Sequence, residues 1–224
     1  MVELLQACEV WWAGTALDRP GHLALLTDVE RERRERLRRD EDRTRFTLGA
    51  VLLRLAVAGA LDLPPGEVTI DRACPRCAEP HGRPRVPGDP VHVSVSHSGE
   101  WVAVAVYPDA PVGVDVELIR PIDTAGMAGL VLAPGEQADS LEEFYTHWTR
   151  KESVVKATGD GLRVSMSGVR LDAAGKVTSY PGRPELTASV VDLAPRPGYA
   201  AALTVLAASH LRVRERDAAE LLST

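Results

Sequence analysis

The sequence predicts an α+β protein built as two similar α/β lobes. Three observations carry that expectation. A helical pattern from about Val29 to Ala60 is followed by alternating strands, and a second helical pattern from Leu141 to Ala157 is again followed by strands. The proline-rich stretch 108–111 lies close to the middle of the 224 residues. Two lobes of about 110 residues each match the usual size of a domain, so the expected division is 1–108 and 109–224.

Residues 2–17 alternate loosely and include Trp11 and Trp12, the pattern of an opening strand. The helix expected over Val29 to Ala60 has a charged first part. Its second part turns Leu48, Val51, Leu52, Leu55, Ala56 and Gly59 to one apolar face. Leu63-Pro64-Pro65-Gly66 stops it. A short strand from Val68 to Asp71 is expected next, then a Cys/Pro/Gly-rich loop through Pro90. Val91, Val93 and Val95 alternate with His92, Ser94 and Ser96. After His97-Ser98-Gly99-Glu100 the alternation resumes from Trp101 to Tyr107, the signature of a hairpin.

Beyond 108–111 a strand carries Asp115 and Glu117 and ends at Pro121. A segment with Gly126 and Gly129 leads to the apolar triplet Leu130-Val131-Leu132. Pro134-Gly135-Glu136 is expected to begin a short helix, and Leu141 to Ala157 a longer one stopped by Gly159 and Gly161. Strands are expected near Val164–Leu171, Leu186–Val191 and Tyr199–Val205, and the tail from Val213 to Thr224 is compatible with a helix.

The chain is 45% hydrophobic and 26% charged, ordinary for a soluble globular protein. No run reaches the ~20 uninterrupted apolar residues that span a bilayer, so no membrane partner is expected. A net charge of −6 argues against general nucleic-acid binding. Eight arginines between Arg31 and Arg45 are interleaved with acids, which reads as a solvated helix laced with ion pairs. Glu3 and Glu9 make a poor secretory signal, and an odd count of three cysteines suggests no disulfide framework, so a cytoplasmic location is expected. Only Lys151, Lys156 and Lys176 are lysines among 26 basic residues. Two of them in one six-residue window point to a place where a compact ammonium with a shiftable pKa is needed.

The chemistry concentrates in two pieces. In Val112-Gly113-Val114-Asp115-Val116-Glu117 the period of a strand projects both carboxylates from one face. In Trp148-Thr149-Arg150-Lys151-Glu152-Ser153-Val154-Val155-Lys156, the residues Trp148, Glu152 and Lys156 are four apart and stack as one helical stripe. Three carboxylates brought together repel one another unless a divalent cation neutralises them, and hard cations take oxygen ligands. Asp115, Glu117 and Glu152 therefore read as a magnesium site beside a lysine, equipment for phosphoryl chemistry.

These same residues resemble the signature pair of 4'-phosphopantetheinyl transferases: Gly113-Val114-Asp115-Val116-Glu117, then Trp148-x-x-Lys151-Glu152-x-x-x-Lys156. Upstream, Ser94-Val95-Ser96-His97-Ser98-Gly99 is similar to that family's third motif. Gly82-Arg83-Pro84 is similar to its Gly-Lys/Arg-Pro element, and Asp42-x-x-Arg45 with Gly49 to its N-terminal segment. The five motifs stand in order between residues 42 and 156, and the length matches the Sfp-type, pseudo-dimeric branch. The resemblance implies a pseudo-twofold fold with the active site at the lobe interface. It also implies transfer of phosphopantetheine from coenzyme A to a serine of an acyl or peptidyl carrier protein, releasing 3',5'-ADP.

On the same footing, Asp115, Glu117 and Glu152 are the Mg2+ ligands, and Ser96 and His97 contact coenzyme A phosphates. Arg45 and Arg83 clasp the 3'-phosphate side of the nucleotide, Lys151 lies near the nucleotide, and Lys156 near the reacting phosphate. Asp115, Glu152 and Lys156 form the catalytic set, with Glu152, directly or through a metal-bound water, as the first candidate for the base. A monomer is expected because a fused pseudo-dimer already contains the interface. Val116 is apolar and no ligand, and Arg83 stands where lysine is commoner, which keeps the charge and changes the geometry. Leu130, Val131 and Leu132 form a candidate carrier-docking patch.

Other readings stay open. A catalytically idle coenzyme A- or carrier-binding module on the same scaffold would bind without turnover, and a metal-dependent phosphoesterase would hydrolyse the pyrophosphate with no carrier. Cys74-x-x-Cys77 with His81 suggests zinc, but a closed structural site wants four ligands. The alternative is a reduced Cys/Pro-rich loop that delivers Arg83.

Overall fold

The computed structural model describes residues 7–74, 76–77, 79–172, 174–194, 196–207 and 211–223. They fall into two compact units, Met1–Asp109 with Arg212–Thr224, and Ala110–Leu211. The break sits at 109/110, and the C-terminal stretch expected in the second lobe belongs to the first.

In the first unit, β1 (Cys8–Gly14) pairs antiparallel with β3 (Trp101–Tyr107), which pairs antiparallel with β2 (His92–Ser98). The sheet order is β2-β3-β1-β9. The last strand, β9 (Val213–Asp217), lies parallel to β1 with Val213 opposite Cys8. The tail expected as a helix is thus a strand over Val213–Asp217, with only a single 3-10 turn at Leu221–Ser223. Its Val-Arg-Glu-Arg-Asp run carries too few apolar residues to announce itself, and a charged composition suits an edge strand.

The long helix expected over Val29 to Ala60 is two helices, α1 (Asp28–Glu35) and α2 (Asp40–Leu61). Thr27 caps the first, accepting from the Glu30 backbone N–H while the Glu30 carboxylate takes the Thr27 N–H. The acidic triplet Asp40-Glu41-Asp42 in the first turn of the second marks a fresh N-terminus, where negative charge is favoured. The arginine run forms short-range ion pairs such as Arg31–Asp28 at 2.7 Å and Arg43–Asp40 at 3.0 Å. Arg54 differs: it is 4% exposed and reaches Glu30 at 3.1 Å and the Leu25 carbonyl at 3.0 Å. Every residue of α2 from Thr47 to Ala58 is buried. Leu48, Val51, Leu52 and Leu55 share a core with Val93, Val102, Val104 and Val106 of the sheet, each such side chain contributing about 1.5–3 kcal/mol on burial. This helix is long and apolar enough to cross a membrane by length and composition, and most of its apolar window is buried inside the protein. The strand expected over Val68 to Asp71 is absent; a single bridge joins Asp71 to Arg85.

In the second unit, β4 (Val112–Leu118) pairs antiparallel with β8 (Tyr199–Val205), which pairs with β7 (Ser189–Asp192). A separate ribbon joins β5 (Arg170–Leu171) to β6 (Val177–Ser179). The segment with Gly126 and Gly129 is a helix, α3 (Thr124–Val131), capped by Asp123, which accepts from the Gly126 N–H at 3.0 Å. Pro134-Gly135-Glu136 forms a turn, not the expected helix start. The main helix, α4 (Leu141–Thr158), is capped by Ser140 and ends at Gly159 with φ of 73°. It buries Val154 and Val155 with Val169, Val190 and Ala202, and Phe144 and Tyr145 with Val131 and Ala200.

Candidate active site

The site of the second unit rests on one missing atom. A Cβ on Gly113 would lie 2.0 Å from the Ser153 carbonyl and 2.5 Å from the Ala157 nitrogen, so only glycine lets α4 lie this close to β4. The strand alternates, so Asp115 and Glu117 share the Gly113 face and point to the side that α4 covers. Asp115 is 3% exposed, and its Oδ1 accepts from the Lys156 ammonium at 2.6 Å. Glu152 stands one helical turn before Lys156. Its carboxyl is raised above the usual carboxylate range, by burial first and by the Asp115 charge second, with Lys156 opposing. The Asp115 and Glu152 carboxylates therefore feel one another. Glu117 is half-buried two residues along β4, opposite Ala200.

Trp148 heads the stripe as a packing residue. Its ring stacks on Tyr145 at 5.8 Å and 8° and meets Phe144 edge-on at 6.0 Å. The helix is also pinned to the sheet from behind: Ser153 Oγ lies 2.6 Å from Thr204 Oγ1 on β8.

Lys151 corrects the expectation placed on it. It is fully buried, and its ammonium donates to the Val131 carbonyl at 2.8 Å and to the Glu136 carboxylate. Burial pulls its pKa down while Glu136 pushes it up. It ties α4 to the end of α3 and to the following turn, and the nucleotide contact expected of it is withdrawn. The docking triplet is likewise reduced. Leu130 is 60% exposed, Val131 is wholly buried, and Leu132 is half-buried against the cluster around Phe144.

In the first unit, Asp42 and Arg45 form an i,i+3 ion pair at 2.6 Å, and the same guanidinium donates to the Gly99 carbonyl at 2.8 Å. The Asp-x-x-Arg segment is thereby fastened to the turn that ends the Ser-His-Ser motif. Along β2, Ser94 and Ser96 are buried and His97 is exposed, with Ser96 opposite Ala103 and His97 opposite Val102. Arg83 is half-buried, and burial lowers its pKa, with Arg85 adding to the effect.

Two partners escaped the sequence. Glu136 carries the charge that satisfies Lys151, and its only signal was an acid in an apolar Pro-Gly turn. Asp192 holds Arg150 with two hydrogen bonds of 2.7 and 2.6 Å, a pairing across 42 residues that no local pattern announces.

Residues 111–203 match the model of the 4'-phosphopantetheinyl transferase superfamily, a stretch that contains β4, α4 and most of β8. A 4'-phosphopantetheinyl transferase of Bacillus subtilis is 32% identical over 183 residues, covering 74% of this chain and 78% of the relative. The Sfp protein of the same species is 30% identical with the same coverage, and the HetI 4'-phosphopantetheinyl transferase of a Nostoc species is 32% identical over 62% of each chain. The chain belongs to the 4'-phosphopantetheinyl transferase family, in its Sfp-type branch, a class of transferase enzymes.

Proposed function

We propose that the chain transfers the 4'-phosphopantetheine group of coenzyme A to a serine hydroxyl of an acyl or peptidyl carrier protein and releases 3',5'-ADP. The observation that carries this reading is the close seating of α4 on Gly113, which sets Lys156 and Glu152 against Asp115. In the proposal, residues of the first unit hold the nucleotide and residues of the second perform the phosphoryl chemistry. The pseudo-twofold relation of two lobes, a monomeric state and a cytoplasmic location belong to the same proposal.

Asp115, Glu117 and Glu152 supply hard oxygen donors, and the Asp115 charge that adds to burial in raising the Glu152 carboxyl is a repulsion a divalent cation relieves, so the donor set fits Mg2+. When bound, the cation would screen pyrophosphate charge and stabilise the departing 3',5'-ADP. The remaining work falls to the protein. Glu152, half-buried beside Asp115 with its carboxyl raised above the usual range, is placed to take the proton of the carrier serine. The Lys156 ammonium stabilises negative charge on the reacting phosphate. Arg45, steadied by Asp42 and Gly99, keeps further guanidinium N–H donors for a phosphate. Arg83, Ser96 and His97 complete the anion contacts.

Intact-mass analysis tests the reading. Apo carrier protein, coenzyme A and Mg2+ should yield a carrier heavier by one phosphopantetheine. Coenzyme A binding with no mass gain over a panel of apo carriers would reduce the chain to a binding module, and pyrophosphate cleavage without a carrier would make it a phosphoesterase.

A further inference from the structure

The loop between Asp71 and Arg85 delivers Arg83, and it also gathers two thiols and an imidazole to which the transfer reading assigns no role. Its arms are closed by a reciprocal pair of backbone hydrogen bonds between Asp71 and Arg85, both 2.8 Å, and by Gly82 N–H to the Arg72 carbonyl at 2.7 Å. A Cβ on Gly82 would meet the Ala73 carbonyl at 2.7 Å, so glycine here allows the arms to pinch together. Inside the pinch, the Cys74 N–H donates to the Glu79 carbonyl at 2.9 Å and turns the chain back on itself. The Sγ atoms of Cys74 and Cys77 and a ring nitrogen of His81 all lie within 4.8 Å of one another, with Cys77 Sγ 3.0 Å from His81 Nε2. Adjacent ligands of a tetrahedral zinc stand about 3.5–3.8 Å apart, given bonds of about 2.3 Å to sulfur and 2.0–2.1 Å to nitrogen. Among the described residues from Asp71 to Arg85 none is buried, so no apolar core explains the shape of this loop.

We propose that Cys74, Cys77 and His81 bind one zinc ion through two thiolates and one imidazole nitrogen, with water in the fourth position. The ion would act as the structural clip of the loop that ends in Arg83. Binding releases two thiol protons to solvent, and the two thiolates cancel the charge of the cation. The backbone N–H groups of Arg76 and Cys77 already favour the Cys74 thiolate and hold that thiol below its ordinary range. The third cysteine takes no part: Cys8 is fully buried, and burial pushes its thiol up to about 12. The ligand geometry stands on the loop alone and uses none of the residues assigned to transfer.

The test uses the full chain in reducing buffer, stripped of metal and then supplied with excess Mg2+, so that oxygen sites are filled before Co2+ is titrated. One equivalent of Co2+ should give a thiolate-to-cobalt charge-transfer band, and one equivalent of Zn2+ should bleach it. Cys77→Ser should abolish the band, His81→Ala should weaken binding by tenfold or more, and Cys8→Ala should leave it intact. Zn2+ should also slow trypsin cleavage after Arg76 by about tenfold, since a ligand held only by the closed loop shifts its opening equilibrium. No charge-transfer band, or a band indifferent to Cys77→Ser, would overturn the assignment. None of these readouts involves carrier transfer, so failure of either proposal is seen separately.

Discussion

The Lys156 ammonium lies 2.6 Å from Oδ1 of Asp115, joining the last turn of α4 to the middle of β4. The two residues are 41 apart in sequence, and both belong to stretches whose local patterns had marked them for chemistry. Asp115 is almost sealed from solvent, while the Lys156 side chain stays 31% exposed. The ammonium can therefore meet an incoming phosphate without leaving its carboxylate.

Asp115→Ala should abolish turnover, and Lys156→Met should lower kcat roughly 10²-fold or more while changing the KM for coenzyme A less, because a charge aimed at the reacting phosphate acts mainly in the transition state. Steady-state kinetics with an apo carrier checks both. Full activity of Asp115→Ala at ordinary Mg2+ would remove that residue from the site.

Gly113→Ala should destabilise the fold by about 1–3 kcal/mol, the usual cost of forcing a methyl into a filled contact. Here the obstacle is backbone, at 2.0 Å from the Ser153 carbonyl, so α4 must move. Urea denaturation measures the loss, and transfer should fall further than stability because Lys156 and Glu152 ride on the displaced helix.

Glu152 gives a pH signature. Its folded carboxyl is raised by burial and by Asp115, so the protonated form is favoured in the folded state. The stability it contributes is complete below its unfolded pKa and is lost as pH rises through the folded one. At neutral pH, without metal, Glu152→Gln should therefore raise Tm, and the gain should vanish in acid where both chains are neutral at this position. The same substitution should lower kcat roughly 10²-fold or more if the carboxylate is the base. A Tm unchanged across the pH series would refute the electrostatic account.

Glu136→Ala should cost about 3–5 kcal/mol, since it strands the fully buried Lys151 ammonium. Lys151→Met added to Glu136→Ala should recover much of that loss. Chemical denaturation of the three variants reports the coupling. Coenzyme A affinity should follow stability rather than charge, because Lys151 has no exposed surface to offer a phosphate.

Leu130, 60% exposed at the end of α3, remains the accessible member of the apolar triplet. Leu130→Glu should raise the KM for carrier roughly tenfold, as loss of a central apolar anchor does at small interfaces, and leave coenzyme A binding unchanged. Equal loss of both would indicate misfolding.

Periodicity by itself determined β2, β3, β4 and α4, because their apolar positions repeat every two residues or every three to four and their ends carry glycine or proline. It also placed Asp115 and Glu117 on one strand face and Glu152 and Lys156 on one helical stripe, since these relations are local geometry. Tertiary structure decided whatever depends on distant chain. The charged tail became β9 because β1 offered it a free edge to pair with. Lys151, one residue from Glu152 and so about 100° round the same helix, met an acid supplied by a turn. The pinch at Gly82 brought His81 beside two cysteines. Local spacing can say which side of an element a residue occupies; only packing decides what lies on that side.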